Sequence, residues 1–181
     1  MSAEAATQQT QEMQQTKDRI AALQATIAAK PDGVLESFAE LHDVPMRVVL
    51  NCLPGDQAVF ADGARFEEVW SELTTFGPVV FIVHSADGVF ETKGSLPPGS
   101  SGHGYFNVHG ESPISGHIKA DRCQAICFVD RPFFGRRSCS VQFVNGNGNI
   151  MFKVFIGRDD RRELLPDQVA SFEALRARMK Q

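Results

Sequence analysis

The apolar residues of this chain change period at Gly77-Pro78, and that switch narrows what the chain can fold into. In "RFEEVWSELTTFG" Phe66, Val69, Trp70 and Leu73 fall at helical spacing as a single stripe, which the glycine-proline pair closes. Beyond it the pattern alternates. "PVVFIVHSADGVFETKGSLP" reads as two strands joined near Asp87-Gly88, and "QAICFVDR", "RSCSVQFV" and "IMFKVFIG" read as further strands, the last two joined by the turn "NGNGN". The middle of the chain is therefore expected to be a large antiparallel sheet.

Helical patterns flank that sheet on both sides in the sequence. The start, residues 1–30, is glutamine-rich and polar and is expected to be disordered before it enters an amphipathic helix carrying Ile20, Leu23 and Ile27. Lys30-Pro31-Asp32-Gly33 ends that extension, so residues 31–181 are expected to form one domain. Val34, Phe38 and Leu41 then mark a short helix with Asp32 as its N-cap, and a break at Asp43 and Pro45 leads into a second helix through Leu50. A last helix starts near Pro166, with Val169, Phe172 and Leu175 as its stripe and Arg176, Arg178 and Lys180 near its C-terminus. Helices bracketing an antiparallel sheet make an α+β fold.

Several functional classes are disfavoured by composition and spacing. A net charge of −4 argues against non-specific nucleic-acid binding, which needs clustered Lys and Arg. The first helix pair has a helix-turn-helix layout, but its second helix offers only Arg47 among Met46, Val48, Val49 and Leu50, too little for reading bases. No apolar run is long enough to cross a bilayer, and cysteines at 52, 123, 127 and 139 without a C-x-x-C pair or a leader read as reduced thiols of a cytoplasmic protein. Cys123 and Cys127 are expected on one face of a continuous strand as inert buried thiols. The histidines follow no zinc spacing, Ser115 lies in no nucleophile elbow, and "SGHGYF" is not a dinucleotide fingerprint.

The residues with chemistry left to assign crowd into "HGYFNVHGESPISGHIKA", which holds Tyr105, the only tyrosine, and three of the five histidines. In an extended segment His103 and Tyr105 share a face, and a turn at "GESPISG" returns His117 toward Tyr105, with His109 on the near side. In "VVFIVHS", Val79, Phe81 and Val83 alternate with Val80, Ile82 and His84, so His84 ends an apolar face. Tyrosine and histidine beside apolar walls suit haem, whose iron accepts either and whose macrocycle wants apolar contact.

Four stretches in order, "FEEVWSELTTFGPVVFIVHSAD" at 66–87, "HGYFN" at 103–107, "SGHIKA" at 115–120 and "FIGRDDRRELL" at 155–165, resemble the ChuX/HutX family of intracellular haem-utilisation carriers. The resemblance runs from about Pro31 to the last helix. It implies a fold like one half of the duplicated HemS/ChuS haem-utilisation proteins, a homodimer, and a carrier in the bacterial cytoplasm that receives haem b non-covalently and passes it on, in one version to a downstream haem-degrading enzyme. It further implies Tyr105 as a ferric-haem ligand and His84 and His117 as haem-site residues, each either a second ligand or a partner of the phenolate. An anionic oxygen donor favours ferric over ferrous iron, which suits hold and release. Lys119 and Arg158 are candidates for the haem propionates, while His103 and His109 stay outside the site and Asp159 reads as a cap. Two alternatives stand beside the carrier: a haem-degrading enzyme that releases iron, and a helix-turn-helix regulator.

Overall fold

A computed structural model describes residues 3–180, without the side chains of residues 3–7 and 12. The elements are α1 (Ala3–Ala29), α2 (Leu35–His42), α3 (Met46–Asn51), β1 (Ala58–Asp62), α4 (Phe66–Leu73), β2 (Pro78–Ser85), β3 (Gly88–Ser95), β4 (Gly99–Gly102), β5 (Tyr105–Val108), β6 (Gly116–Ile118), β7 (Cys123–Phe133), β8 (Arg136–Asn145), β9 (Ile150–Phe155) and α5 (Pro166–Met179). Among the described residues nine strands form two antiparallel sheets, ordered β1-β7-β8-β9-β2-β3 and β4-β5-β6. This is the expected α+β architecture, with the small sheet as an addition.

Strand alternation decides which layer covers which face of the large sheet. On one face Val79, Ile126, Phe128, Val141, Phe143, Phe152 and Val154 pack with α4, α5 and the small sheet. On the other, Ala125, Cys127, Val129 and Val144 pack with Leu23 and Ile27 of α1 and with α2 and α3. That second helical layer covers the β1-β7-β8 side and stops short of β2 and β3. The uncovered stretch becomes the groove described below.

Five local expectations need correction. The glutamine-rich start is helical from Ala3 rather than disordered, in one helix that runs on to Leu23 and Ile27, while residues 1 and 2 lie outside the described residues. Asp32 does not cap α2, whose N-cap is Val34; its Oδ2 accepts from the Gly135 N–H at 3.0 Å and so ties the β7–β8 turn to the linker. His103 does not share a face with Tyr105: it sits in the two-residue β4–β5 turn, where His103 and Gly104 have φ of 53° and 75°, the primed-turn geometry that matches strand twist. On α5 the buried stripe is Gln168, Phe172, Leu175 and Met179, with Val169 only half-buried. Gln168 is inside because its Oε1 accepts from Gly157 N–H at 2.7 Å and its Nε2 donates to the Pro78 carbonyl at 2.9 Å, joining the ends of β9 and β2.

The fifth correction concerns the thiols. A bulge between Cys123 and Ala125 breaks the strand period, so Cys123 packs on the α4/α5 side and Cys127 on the α1–α3 side. Burial pushes the Cys123 thiol up to about 11 and raises Cys127 and Cys139 as well, which keeps all three protonated. At the same bulge the backbone of Gly63 approaches so closely that a Cβ would stand 2.1 Å from the Cys123 carbonyl oxygen. Gly63→Ala is therefore expected to cost about 2–3 kcal/mol through forced backbone displacement, read as a lower urea midpoint with an unchanged slope.

The α2–α3 pair serves as core. Met46, Val49 and Leu50 are buried in the second cluster, and Arg47 lies over the Phe60 ring at 5.9 Å.

Candidate functional site

The small sheet presents one polar face. Phe106, Val108 and Ile118 turn into the core, so Tyr105, Asn107, His117 and Lys119 point the other way. The pairing Asn107↔His117 brings the Tyr105 and His117 rings to 5.9 Å between centroids at 66°. The hairpin return expected from the turn at "GESPISG" is thus what the chain forms. Lys119 Nζ stands 3.8 Å from the centre of the Tyr105 ring and donates to the Gly104 carbonyl at 2.9 Å. A cation over an electron-rich ring is a favourable contact that also places positive charge beside the phenol.

Asn107 sets the tautomer of His117. Its Nδ2 donates to the carbonyls of Gly102, Ser100 and Tyr105, which directs Oδ1 at His117 Nδ1, 2.7 Å away. An amide oxygen only accepts, so Nδ1 carries the proton and Nε2 keeps its lone pair for a metal or for the phenol proton. Tyr105 is 40% exposed, so its side chain is open to solvent on this face.

His84 and Arg158 belong to a different surface. Val80, Ile82 and His84 on β2 join Val89 and Lys93 on β3 and Phe155 and Lys153 on β9 to line a groove of about 700 Å³, closed at its ends by the start of α2 and by residues 156–165. Its size falls within the range of small-molecule and cofactor pockets, and its walls are mainly aliphatic and aromatic. His84 Nδ1 lies 3.5 Å from Glu36 Oε1, and the same carboxylate oxygen is paired with Lys153. Lys153 is 6% exposed, and burial draws its ammonium down to about 8, against which the Glu36 carboxylate acts. Arg158 reaches the groove, but two of its nitrogens already donate to the Arg162 and Arg137 carbonyls at 2.9 and 2.6 Å. Asp159 Oδ1 accepts from the Arg161 and Glu163 N–H groups, so it closes a loop turn.

The five candidates therefore fall into two groups: Tyr105, His117 and Lys119 on the small sheet, and His84 with Arg158 at the groove. Among the described residues no hydrogen bond, ion pair or ring contact joins them. Asn107, Glu36 and Lys153 escape a reading by motif. Asn107 lies inside "HGYFN", so its position beside Tyr105 is a signal that could have found it; Glu36 and Lys153 are brought together across 117 residues, and no local pattern announces that.

A haem group fits the donor chemistry on these surfaces. Imidazole and phenol are both iron donors, the groove offers apolar walls to a macrocycle, and Lys93 and Arg158 add cations at its edge. Comparison with known proteins points the same way. The sequence pattern of the family described as "Haem utilisation ChuX/HutX" matches residues 59–175. The intracellular heme transport protein HutX of Vibrio cholerae is 33% identical over 153 residues, which are 84% of this chain and 79% of that protein. Among solved structures, an Agrobacterium tumefaciens protein is 43% identical with a TM-score of 0.85, covering 99% of this chain and 98% of its own. The heme-binding protein ChuX is 40% identical with a TM-score of 0.80, over 88% and 99% of the two chains. The fold alone extends to PhuS of Pseudomonas aeruginosa, 18% identical with a TM-score of 0.68, where 86% of this chain covers 45% of that one, so the chain has the fold of one half of the larger protein. A sequence match over most of the chain and an agreeing fold lead to one conclusion: this chain belongs to the ChuX/HutX family of haem-utilisation proteins.

Proposed function

We propose that the chain is a cytoplasmic haem carrier, one that holds haem b non-covalently as cargo, as a homodimer, and hands it to a partner such as a haem-degrading enzyme. The observation that carries the reading is the apolar groove with an imidazole on its wall and cations at its edge. Family membership supports it, since HutX is described as an intracellular transport protein and ChuX as a heme-binding one. Residues 31–181 form the carrier domain, and the helix before Pro31 packs onto it through Leu23 and Ile27.

In this proposal Tyr105 is the ferric ligand, His117, whose ring neighbours the phenol, takes the phenol proton on Nε2, and Lys119 offsets the phenolate charge. His84 faces haem from the groove as second donor or as hydrogen-bond partner. Lys119 and Arg158 meet the propionates, Arg158 through the part of its guanidinium not engaged by backbone. A one-electron donor that reduced the bound iron to ferrous would weaken its bond to the Tyr105 phenolate and favour release.

A haem titration of wild type, Tyr105→Phe and His84→Ala tests the proposal. Wild type is expected to show a ferric tyrosinate absorption and resonance Raman signature, and Tyr105→Phe to lose it with its circular dichroism intact. His84→Ala is expected to weaken haem binding about tenfold or more. An unchanged spectrum in Tyr105→Phe rejects the phenolate, and unchanged affinity in His84→Ala rejects the groove. Steady loss of the Soret band under reductant with catalase present, together with iron release, would establish the degrading enzyme instead.

A further inference from the structure

Beneath the first turn of α2 the groove opens into a small recess of about 60 Å³. The two share Glu36, Phe133, Ser138, Lys153 and Phe155 in their walls, so they adjoin. The floor of the recess is a patch of large sheet that alternation alone would assign to solvent: Ser138, Ser140 and Gln142 alternate with the core residues Cys139, Val141 and Phe143 along β8. These polar residues are nevertheless buried, as are their strand neighbours Arg131 on β7 and Lys153 on β9.

Two atoms in this patch lack partners. Arg131 Nε and Gln142 Oε1 have no contact with solvent and no hydrogen bond, on residues that are 5% and 2% exposed. Arg131 Nη2 is engaged by the carbonyls of Pro31 and Gly33 at 2.7 and 2.9 Å, so the guanidinium is held in place while its Nε waits. The Gln142 amide donates from Nε2 to Ser140 Oγ at 3.2 Å. Rotating that amide by half a turn lets the Ser140 hydroxyl donate to Oε1 and frees Nε2 as a donor, and the two orientations differ only in the assignment of nitrogen and oxygen. The recess is then lined by donors that lack an acceptor. Its charges are the Arg131 and Lys153 cations against the Glu36 anion; the nearby Asp32 carboxylate already accepts from Gly135. One further negative charge would balance it.

We infer that this recess receives a carboxylate of the ligand held in the groove, an inference that rests on the haem-carrier reading. A space of this size takes one carboxylate or a few waters and excludes a macrocycle. The carboxylate enters beside Ser138 and Lys153, and a shift of the Arg131 and Gln142 side chains, whose unpartnered atoms are sealed from solvent in the free protein, brings one oxygen to Arg131 Nε and the other to Gln142 Nε2. A propionate buried here fixes which edge of the porphyrin enters the groove and has the recess, in place of Lys119, as its partner, while the other propionate remains at the rim near Arg158.

Haem and haem dimethyl ester, titrated into wild type, Gln142→Leu and Arg158→Ala, test the inference. Wild type is expected to prefer the free acid by about tenfold or more. Gln142→Leu, which keeps Arg131 and its linker contacts, is expected to reduce that preference to below about threefold. Arg158→Ala, at the exposed rim propionate, is expected to lower the preference less than Gln142→Leu does. A preference undiminished in Gln142→Leu overturns the recess as a carboxylate site and leaves the carrier reading standing. Failure of wild type to bind either form removes the carrier reading itself. If acetate raises the thermal midpoint of wild type but not of Gln142→Leu, and the acid-to-ester ratio is the same in both, the recess holds a free anion and the inference is overturned.

Discussion

Replacing Glu36 by glutamine is expected to lower the stability of the protein by about 3 kcal/mol in mildly acidic solution, with the deficit shrinking as pH rises toward 8 and levelling off above it. The expectation follows from the surroundings of Lys153, whose side chain is 8% exposed and whose paired carboxylate is that of Glu36. Removing one partner of a buried pair leaves an uncompensated charge and costs about 3–5 kcal/mol. Glu36 retains 22% of its side-chain exposure, which places the effect at the lower end. The pH dependence has a definite sign. Burial lowers the Lys153 ammonium from an ordinary 10.5 to about 8, so between those values the unfolded chain binds more protons than the native one and stability rises with pH. Without Glu36 the native ammonium is destabilised further and the window opens at lower pH. Urea unfolding at pH 6, 7, 8.5 and 9.5 checks this; a constant gap between variant and wild type at all four would show that Lys153 is not the group responsible. A Glu36→Leu, Lys153→Met double variant is expected to lie closer to wild type than Glu36→Gln does, because the pair is then removed whole.

Trp70→Ala is expected to cost about 3–5 kcal/mol, a large share of the roughly 5–15 kcal/mol that usually stabilises a domain. Trp70 is 1% exposed and stacks among Phe66, Phe106 and Phe152, with ring centroids 6.1, 5.5 and 5.9 Å away. Its indole N–H donates to the buried Pro97 carbonyl at 3.0 Å, on the connection that leads into the small sheet. Phe106 is the inward neighbour of Tyr105 on β5, so the same packing that stabilises the core also sets the face carrying Tyr105 and His117. The variant is therefore expected to lose the tyrosinate signature of bound haem at temperatures where its large sheet still gives native circular dichroism. Trp70→Phe keeps most of the ring packing and leaves only the Pro97 carbonyl unpaired, for about 1–2 kcal/mol. Equal losses in the two variants would show that the hydrogen bond, rather than the packing, holds the crossover.

Parts of the site are legible in the order of residues. The pairing of Tyr105 with His117 follows from a short turn between two extended segments, and the strand alternation that separates Val80, Ile82 and His84 from Val79 and Phe81 is a property of the backbone. The residues that organise those groups carry no such local mark. Asn107 acts on the His117 tautomer through a cross-strand neighbour relation that needs the register, and Glu36 meets Lys153 only because α2 packs against β9. Cys123 and Cys127 show the limit in the other direction: a single bulge inverts a strand period that is regular in the sequence. Arg131 and Gln142, polar residues in strands, have the pattern of a solvated face, and only the helical layer lying over them makes them buried.

Local chemistry is therefore what the amino-acid order determines here. The change of apolar period at Gly77-Pro78 separates helix from sheet, glycine-rich turns set the hairpins, and one hairpin delivers His117 to Tyr105, because side-chain direction and turn geometry depend on a few adjacent residues. The tertiary structure decides where a ligand has room. The groove exists because the α1–α3 layer ends over β8 and β9 while β2 and β3 join the sheet beyond it, and strand order across a sheet is settled by contacts between distant segments. The same long-range packing places His84 at the groove and Tyr105 on the other sheet, and buries the charges of Arg131 and Lys153 where the groove narrows.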